Sequence, residues 1–254
     1  MTYLRNKQFL LQIVFLMYQM AIKPKAILCD VNGTLFNLDA LGVRMEQVGL
    51  SKNLLSLWFA RTLRDGKALA LTRHFSTLKE VGGFQLKSLI LEQRKEGEEK
   101  PSQEELERAV ATVIGGFDEV EAWPDVRPGL EAINKAGVKV ATMTNGSVEV
   151  TNKFLDRSGL SEFVKDVMDI AEVQLWKPHA EVYHHAAKRL GLQTKEVMLA
   201  AVHPWDTHGA KAAGLQTAFI NRNKEEYPPY FLEPDVNVPS FEALAKVLYI
   251  GTSV

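Results

Sequence analysis

Asp30 closes the apolar run Ile27-Leu28-Cys29 and is followed by Val31-Asn32-Gly33-Thr34, so a carboxylate stands at a strand end beside a tight turn. A carboxylate so placed can act as a nucleophile, and the hydroxyl and backbone N–H of Thr34 can hold an anion. A second stretch, Thr144-Asn145-Gly146-Ser147, offers a hydroxyl, an amide and free N–H groups at a helix N-terminus. Lys177 precedes Pro178 at a helix start, and Asp206 opens a glycine- and alanine-rich helix after the run Val197 to Val202. In this order, each at a strand-to-helix junction, the four stretches supply a nucleophilic carboxylate, a hydroxyl clamp, a cation and a second carboxylate at one sheet edge.

Such a convergence needs strands whose ends point the same way. Lys25 to Val31, Val138 to Met143, Val197 to Val202 and Leu215 to Ile220 are apolar runs of strand length, each followed by polar or turn residues. Arg127 to Ala136, Val148 to Ser158, Ala180 to Leu190 and Thr207 to Ala213 are the helix-length segments between or after them. The alternation predicts an α/β fold, a Rossmann-like parallel sheet covered on both faces, with ligands at the carboxyl ends of its strands. Residues 38–122 break the alternation. "NLLSLWFARTLRDGKALAL" has helical apolar spacing, and Ser102-Gln103-Glu104-Glu105 after Pro101 forms a capping box for a helix ending near Gly115-Gly116. The expected organisation is an extension at 1–23, a core from 24–37 and 123–254, and a helical insertion at 38–122 directly after the first strand.

The 254 residues are 46% hydrophobic, enough for a substantial core, and carry 30 Lys and Arg against 31 Asp and Glu. With a net charge of −1 and no long basic block, no nucleic-acid partner is expected. Cys29 is the single cysteine, a small apolar residue of a strand rather than a nucleophile, and its use fits a reducing compartment, the cytoplasm. His184 and His185 have no zinc-type spacing around them, and no metal site is expected. The apolar run Phe9 to Ile22 follows Arg5 and Lys7 in the charge order of a targeting signal. It is interrupted by Gln12 and Gln19, lacks a small-x-small cleavage site and is too short for a membrane span. It reads as a targeting or membrane-surface segment, as an extension packed on the domain, or as sequence ahead of a start at Met20.

From about Lys25 onward the chain resembles the haloacid dehalogenase superfamily, and most of all its 2-haloacid dehalogenase branch. The resemblance rests on the four motifs in order, and toward that branch on the "NGS" after Thr144, the "KPxxxVY" around Lys177 and the "WDxxGA" around Asp206. It implies a helical cap over the core, Asp30 as nucleophile, and Thr34, Thr144 and Asn145 as substrate or oxyanion partners. It also implies Lys177 as the charge-balancing cation, Asp206 as the acid that orients or activates water, and Tyr183 and Trp205 as pocket residues. The reaction implied converts a small 2-haloacid into a 2-hydroxyacid through an aspartyl ester, without a cofactor. The resemblance allows a homodimer, which no residue pattern here encodes.

Phosphatases of the superfamily carry a second Asp two residues after the nucleophile; here Asn32 stands there and can be neither acid nor base. Val202, four residues before Asp206, replaces a carboxylate usual in metal-dependent members. The dehalogenase branch has an arginine directly after the Leu-Trp of the cap, and this chain has Phe59 after Leu57-Trp58. Arg61 and Arg64 lie nearby and are the candidates to reach the pocket from a shifted helix. Ala201 and His203 stand where the branch has a hydroxyl and an amide; His203 either lines the pocket or satisfies the loop. Two alternatives to dehalogenation follow, a non-catalytic small-ligand-binding protein and a small-molecule phosphatase.

Overall fold

The computed structural model describes residues 24–97 and 99–250; the apolar run Phe9 to Ile22 lies outside them. Strand β1 (Ala26–Cys29) is followed by β2 (Phe36–Asn37) and four helices: α1 (Asp39–Gln47), α2 (Leu55–Leu71), α3 (Leu78–Glu92) and α4 (Gln103–Ile114). Strand β3 (Glu121–Ala122) then pairs antiparallel with β2 and returns the chain to the core. The rest alternates: α5 (Val126–Lys135), β4 (Lys139–Thr144), α6 (Val148–Arg157), β5 (Asp166–Asp169), α7 (Ala180–Arg189) and β6 (Val197–Ala201). It ends with α8 (Pro204–Ala212), β7 (Gln216–Ile220), β8 (Val236–Val238) and α9 (Phe241–Ile250).

Six strands form one parallel sheet in the order β5-β4-β1-β6-β7-β8, as the alternation predicts. Side chains alternate between its faces and divide the core in two. Ile27, Cys29, Val140 and Met198 pack with Leu130 of α5, Phe154 of α6 and Phe241 of α9. Leu28, Ala141, Met143 and Leu199 pack with Val182 of α7 and Ala210 of α8. Burial on both faces is the physical reason these strands read as continuous apolar runs.

Besides the two-residue strands β2 and β3, two strands of the main sheet escape the sequence reading. β5 and β8 each pair with one neighbour only, and their short stretches Asp-Val-Met-Asp and Val-Asn-Val carry no long apolar run. The first strand is shorter than Lys25 to Val31: past Cys29 the chain curls, and the Val31 carbonyl accepts from the N–H groups of Leu35 (3.0 Å) and Phe36 (3.2 Å). Helix α8 begins three residues earlier than Thr207, with Pro204 in its first turn, where a missing N–H breaks no helical bond. Trp205 and Asp206 thus sit inside the first turn.

The inserted helices are fixed by local signals and by two tryptophans. Ser102 with Glu105, and Thr77 with Glu80, make reciprocal capping boxes at the starts of α4 and α3. Trp58 of α2 is fully buried and donates from Nε1 to the Gly82 carbonyl of α3 at 2.8 Å. Trp176, from the loop before α7, lies so close to Gly66 of α2 that a Cβ there would stand 2.3 Å from its ring. Its Nε1 donates to the Ser76 carbonyl (3.0 Å), tying the α2–α3 loop to the core. Among the described residues no helix is long and apolar enough to cross a membrane.

Candidate active site

Asp30 follows the last residue of β1 and is still held to the sheet, its N–H donating to the Ala200 carbonyl at 3.1 Å. Both oxygens of its buried carboxylate are engaged. Oδ1 accepts from Lys177 Nζ at 2.7 Å and Oδ2 from Thr34 Oγ1 at 2.6 Å. Thr34 Oγ1 in turn accepts from the Val202 N–H (3.1 Å), so the hydroxyl proton is aimed at the carboxylate. The turn through Gly33, at φ +79°, is what folds Thr34 back under Asp30.

Lys177 is completely buried, and an ammonium in that position must spend its three protons on fixed acceptors. It donates to Asp30, to Asp206 Oδ2 at 2.7 Å and to the Met143 carbonyl at 3.0 Å. Its backbone N–H donates to Asn145 Oδ1 (2.9 Å), which fixes the loop that carries it. Asp206 receives a further bond on Oδ1, from the Tyr183 hydroxyl at 2.6 Å. The centre is a chain of charge-assisted bonds from Thr34 through Asp30, Lys177 and Asp206 to Tyr183.

The two carboxylates are pushed apart in acidity. Burial alone would raise Asp30, but the Lys177 ammonium, with His203 and the Thr34 hydroxyl, holds it below its ordinary value. Asp206 goes the other way: burial raises it, Lys177 opposes the shift, and the Asp30 charge adds to it. Burial works against the Lys177 ammonium, yet Asp206 and Asp30 together hold it above its ordinary value. Burial and the Asp206 charge keep Tyr183 protonated well above the usual phenol range. One carboxylate is therefore kept ionised and the other made more basic, a division suited to nucleophile and water activator.

Above Asp30 lies a cavity of about 10 Å³, room for about one water. Asp30, Asn32, Asn145 and His203 give it a polar side; Phe59, Leu63, Leu78 and Trp205 give it an apolar one. His203 bonds through Nε2 to the Asn32 carbonyl (3.0 Å), which requires the proton on that nitrogen, and stands 3.6 Å from Asp30 Oδ2. Its ring stacks on Trp205, with centroids 5.3 Å apart, and faces Phe59 at 6.0 Å. It thus does both things open to it in the sequence: it satisfies the loop and lines the pocket.

Asn145, Phe59, His203 and Trp205 meet at the cavity with Asp30. Tyr183 and Thr144 lie behind its wall, Tyr183 on Asp206 and Thr144 Oγ1 accepting from the Gly146 N–H at 2.9 Å. Arg61 is not brought to the site. Two residues after Phe59, the turn of α2 carries it to the far side, where its Nη1 donates to both carboxylate oxygens of Glu92 at 2.8 and 2.9 Å. Leu63 and Leu78 are cavity residues that sequence reasoning missed. Leu63 could have been found, since four residues after Phe59 it shares that residue's helix face.

A family model described as haloacid dehalogenase-like hydrolase matches residues 24–214. The chain belongs to the haloacid dehalogenase-like hydrolase family. Among similar curated members, (S)-2-haloacid dehalogenase 4A of Burkholderia cepacia is 28% identical over 221 residues, 84% of this chain and 90% of that one. The glyceraldehyde 3-phosphate phosphatase of Methanopyrus kandleri is 27% identical over 229 residues, 86% of this chain and 92% of that one. The L-2-haloacid dehalogenase structure from Xanthobacter autotrophicus, with chloropropionic acid covalently bound, superposes with a TM-score of 0.78 at 20% identity. That match covers 89% of this chain and 98% of the other, and shows the shared fold.

A HAD-hydrolase structure of similar fold, YfnB from Bacillus subtilis, is bound to magnesium. The residues here do not fit such an ion. Asp30 and Asp206 are bridged by the Lys177 ammonium, position 32 offers an amide, and position 202 offers a valine. Among the described residues no three His, Cys, Asp or Glu side chains converge as a ligand set.

Proposed function

We propose that this chain is a 2-haloacid dehalogenase-like hydrolase in which Asp30 displaces halide from a small acid through a covalent aspartyl ester. The observation that carries this reading is the setting of Asp30: a buried carboxylate kept ionised by Lys177, at the floor of a half-apolar cavity, with an amide at position 32. Halide departs as a weak base and needs no proton. The alkoxide leaving a phosphate ester does need one, and losing a general acid forfeits about 10²–10⁴ in rate, which disfavours the phosphatase reading.

In the first step an Asp30 oxygen attacks the halogen-bearing carbon, the C–O bond forms as the carbon–halogen bond breaks, and halide takes the electron pair. The aspartyl ester is then attacked by water at its acyl carbon. Asp206, made more basic by burial, takes the water's proton. The Lys177 ammonium, already within hydrogen-bond reach of Asp30, stabilises the developing oxyanion. Collapse breaks the acyl C–O bond, the 2-hydroxyacid leaves as it regains a proton, and one proton and one halide are released per water consumed. Helices α1–α4, within residues 38–122, act as the cap over this centre.

A small acid is the partner this reading requires, and the cytoplasm the compartment it assigns. That assignment is supported by the chain's single cysteine, Cys29, whose use fits a reducing compartment. Assembly as a homodimer is part of the same reading and is measurable by sedimentation velocity.

The test is halide release from chloroacetate and both enantiomers of 2-chloropropionate with EDTA present. Wild type should turn over at least one of them, and Asp30→Asn should release halide about 10³-fold more slowly or worse. A single turnover in oxygen-18 water with enzyme in excess should place the label in Asp30. No release from any of the three acids, or label directly in product, overturns the reading.

A further inference from the structure

The centre described above has no cation to spare for a substrate carboxylate. Two carboxylates and one ammonium leave it with a net negative charge, and the acid that must approach Asp30 is itself an anion. Lys177 cannot supply the attraction, because its three protons already go to Asp30, Asp206 and Met143. Phe59 gives the cavity an apolar wall, and Arg61 is tied to Glu92 on the other side of α2.

Lys67 stands on the right face. Phe59, Leu63 and Lys67 follow one another at four-residue intervals along α2, and the first two line the cavity. The Lys67 ammonium lies 4.0 Å from the centroid of the Trp205 ring, itself a cavity wall, while Lys177 approaches that ring to 6.0 Å. No carboxylate of the described residues lies within ion-pair distance of Lys67. Burial lowers its affinity for a proton, and the nearby Asp206 charge partly restores it. A cation resting on an aromatic face, on a flexible stem and without a fixed acceptor, retains donors for an incoming anion.

We propose that Lys67 binds the carboxylate of the substrate, delivering to it a positive charge from α2. This rests on the dehalogenase reading for the identity of the substrate, but the binding itself is measurable without turnover. The probe is propionate, which has the carboxylate and no halogen, titrated by calorimetry and by tryptophan fluorescence into wild type, Lys67→Met, Lys67→Gln and Lys67→Arg. The proposal expects the Met and Gln variants to bind propionate at least about tenfold more weakly and Arg to stay within about threefold of wild type. With 2-chloropropionate, KM should rise in the same order while kcat changes less, and turnover of neutral 2-chloropropionamide should not respond to position 67.

Equal propionate binding by wild type and Lys67→Met overturns the proposal, as does undetectable binding by wild type. So does loss of chloride binding in place of propionate binding, which would make Lys67 a halide site. A fall in kcat at unchanged KM, equal in the Met and Arg variants, would reduce Lys67 to a structural contact on Trp205. If propionate binding depends on Lys67 and no haloacid releases halide, the carboxylate site stands and the dehalogenase reading alone falls.

Discussion

Lys177 holds two carboxylates at once, and what it does to them can be measured through stability. Asp30 is depressed in the folded state, so its contribution is present above about pH 3.9 and is lost as pH falls through the folded value. Lys177 is raised, so its contribution is complete below about pH 10.4 and is lost as pH climbs through its own folded value. Asp206 acts in the opposite sense: with a raised folded value it withdraws stability as pH rises above about 3.9. Lys177→Met removes the charge that opposes burial at both acids. It should destabilise the protein by about 3–5 kcal/mol near neutrality. Its urea midpoint should then rise from about pH 8 to about pH 5, as the stranded carboxyls take up protons. A midpoint independent of pH over that range would mean the two acids are not coupled through Lys177.

At the scale of elements, α2 does more than cover the site: it sets which side chains reach it. Its periodicity sends Phe59, Leu63 and Lys67 toward the core and Arg61 toward Glu92, and Gly66 seats it against Trp176. Gly66→Ala puts a methyl carbon into that indole, so the helix must shift or the ring must turn. Overpacking of this kind costs about 1–3 kcal/mol in stability, and it should also impair kcat/KM because the cavity wall moves with the helix. A midpoint and kcat/KM equal to wild type would show that α2 sits less closely than described. The helical character of this stretch and the capping box at Ser102 were legible in the sequence, since spacing and caps are local properties. The short edge strands β5 and β8 were not: with one neighbour and few apolar residues, their pairing is decided by the sheet they join.

For the molecule as a whole, the sheet provides a rigid floor and the inserted helices a roof, and the space between them admits about one water. The haloacid of the proposed reaction is several times larger, so on that reading roof and floor separate for entry and Trp176, with its bond to the Ser76 carbonyl, is a contact that yields. Hydrogen exchange should find the α2–α3 loop, residues 72–77, less protected than β1 and β6 without ligand, and slowed by propionate. Equal protection in both states would place substrate entry elsewhere. The sequence by itself determined four of the sheet's six strands and the helices that alternate with them, the helical interruption, and the four motifs that carry Asp30, Thr144, Lys177 and Asp206. Those are consequences of apolar periodicity, caps and turn residues acting over a few positions each. Only the tertiary structure decided that Lys177 saturates its donors between two acids, that Tyr183 serves Asp206 from behind the wall, and that Lys67 rests on the Trp205 ring while Arg61 pairs with Glu92. Those facts depend on how a helix from one part of the chain is rotated against a loop from another, and packing sets that rotation.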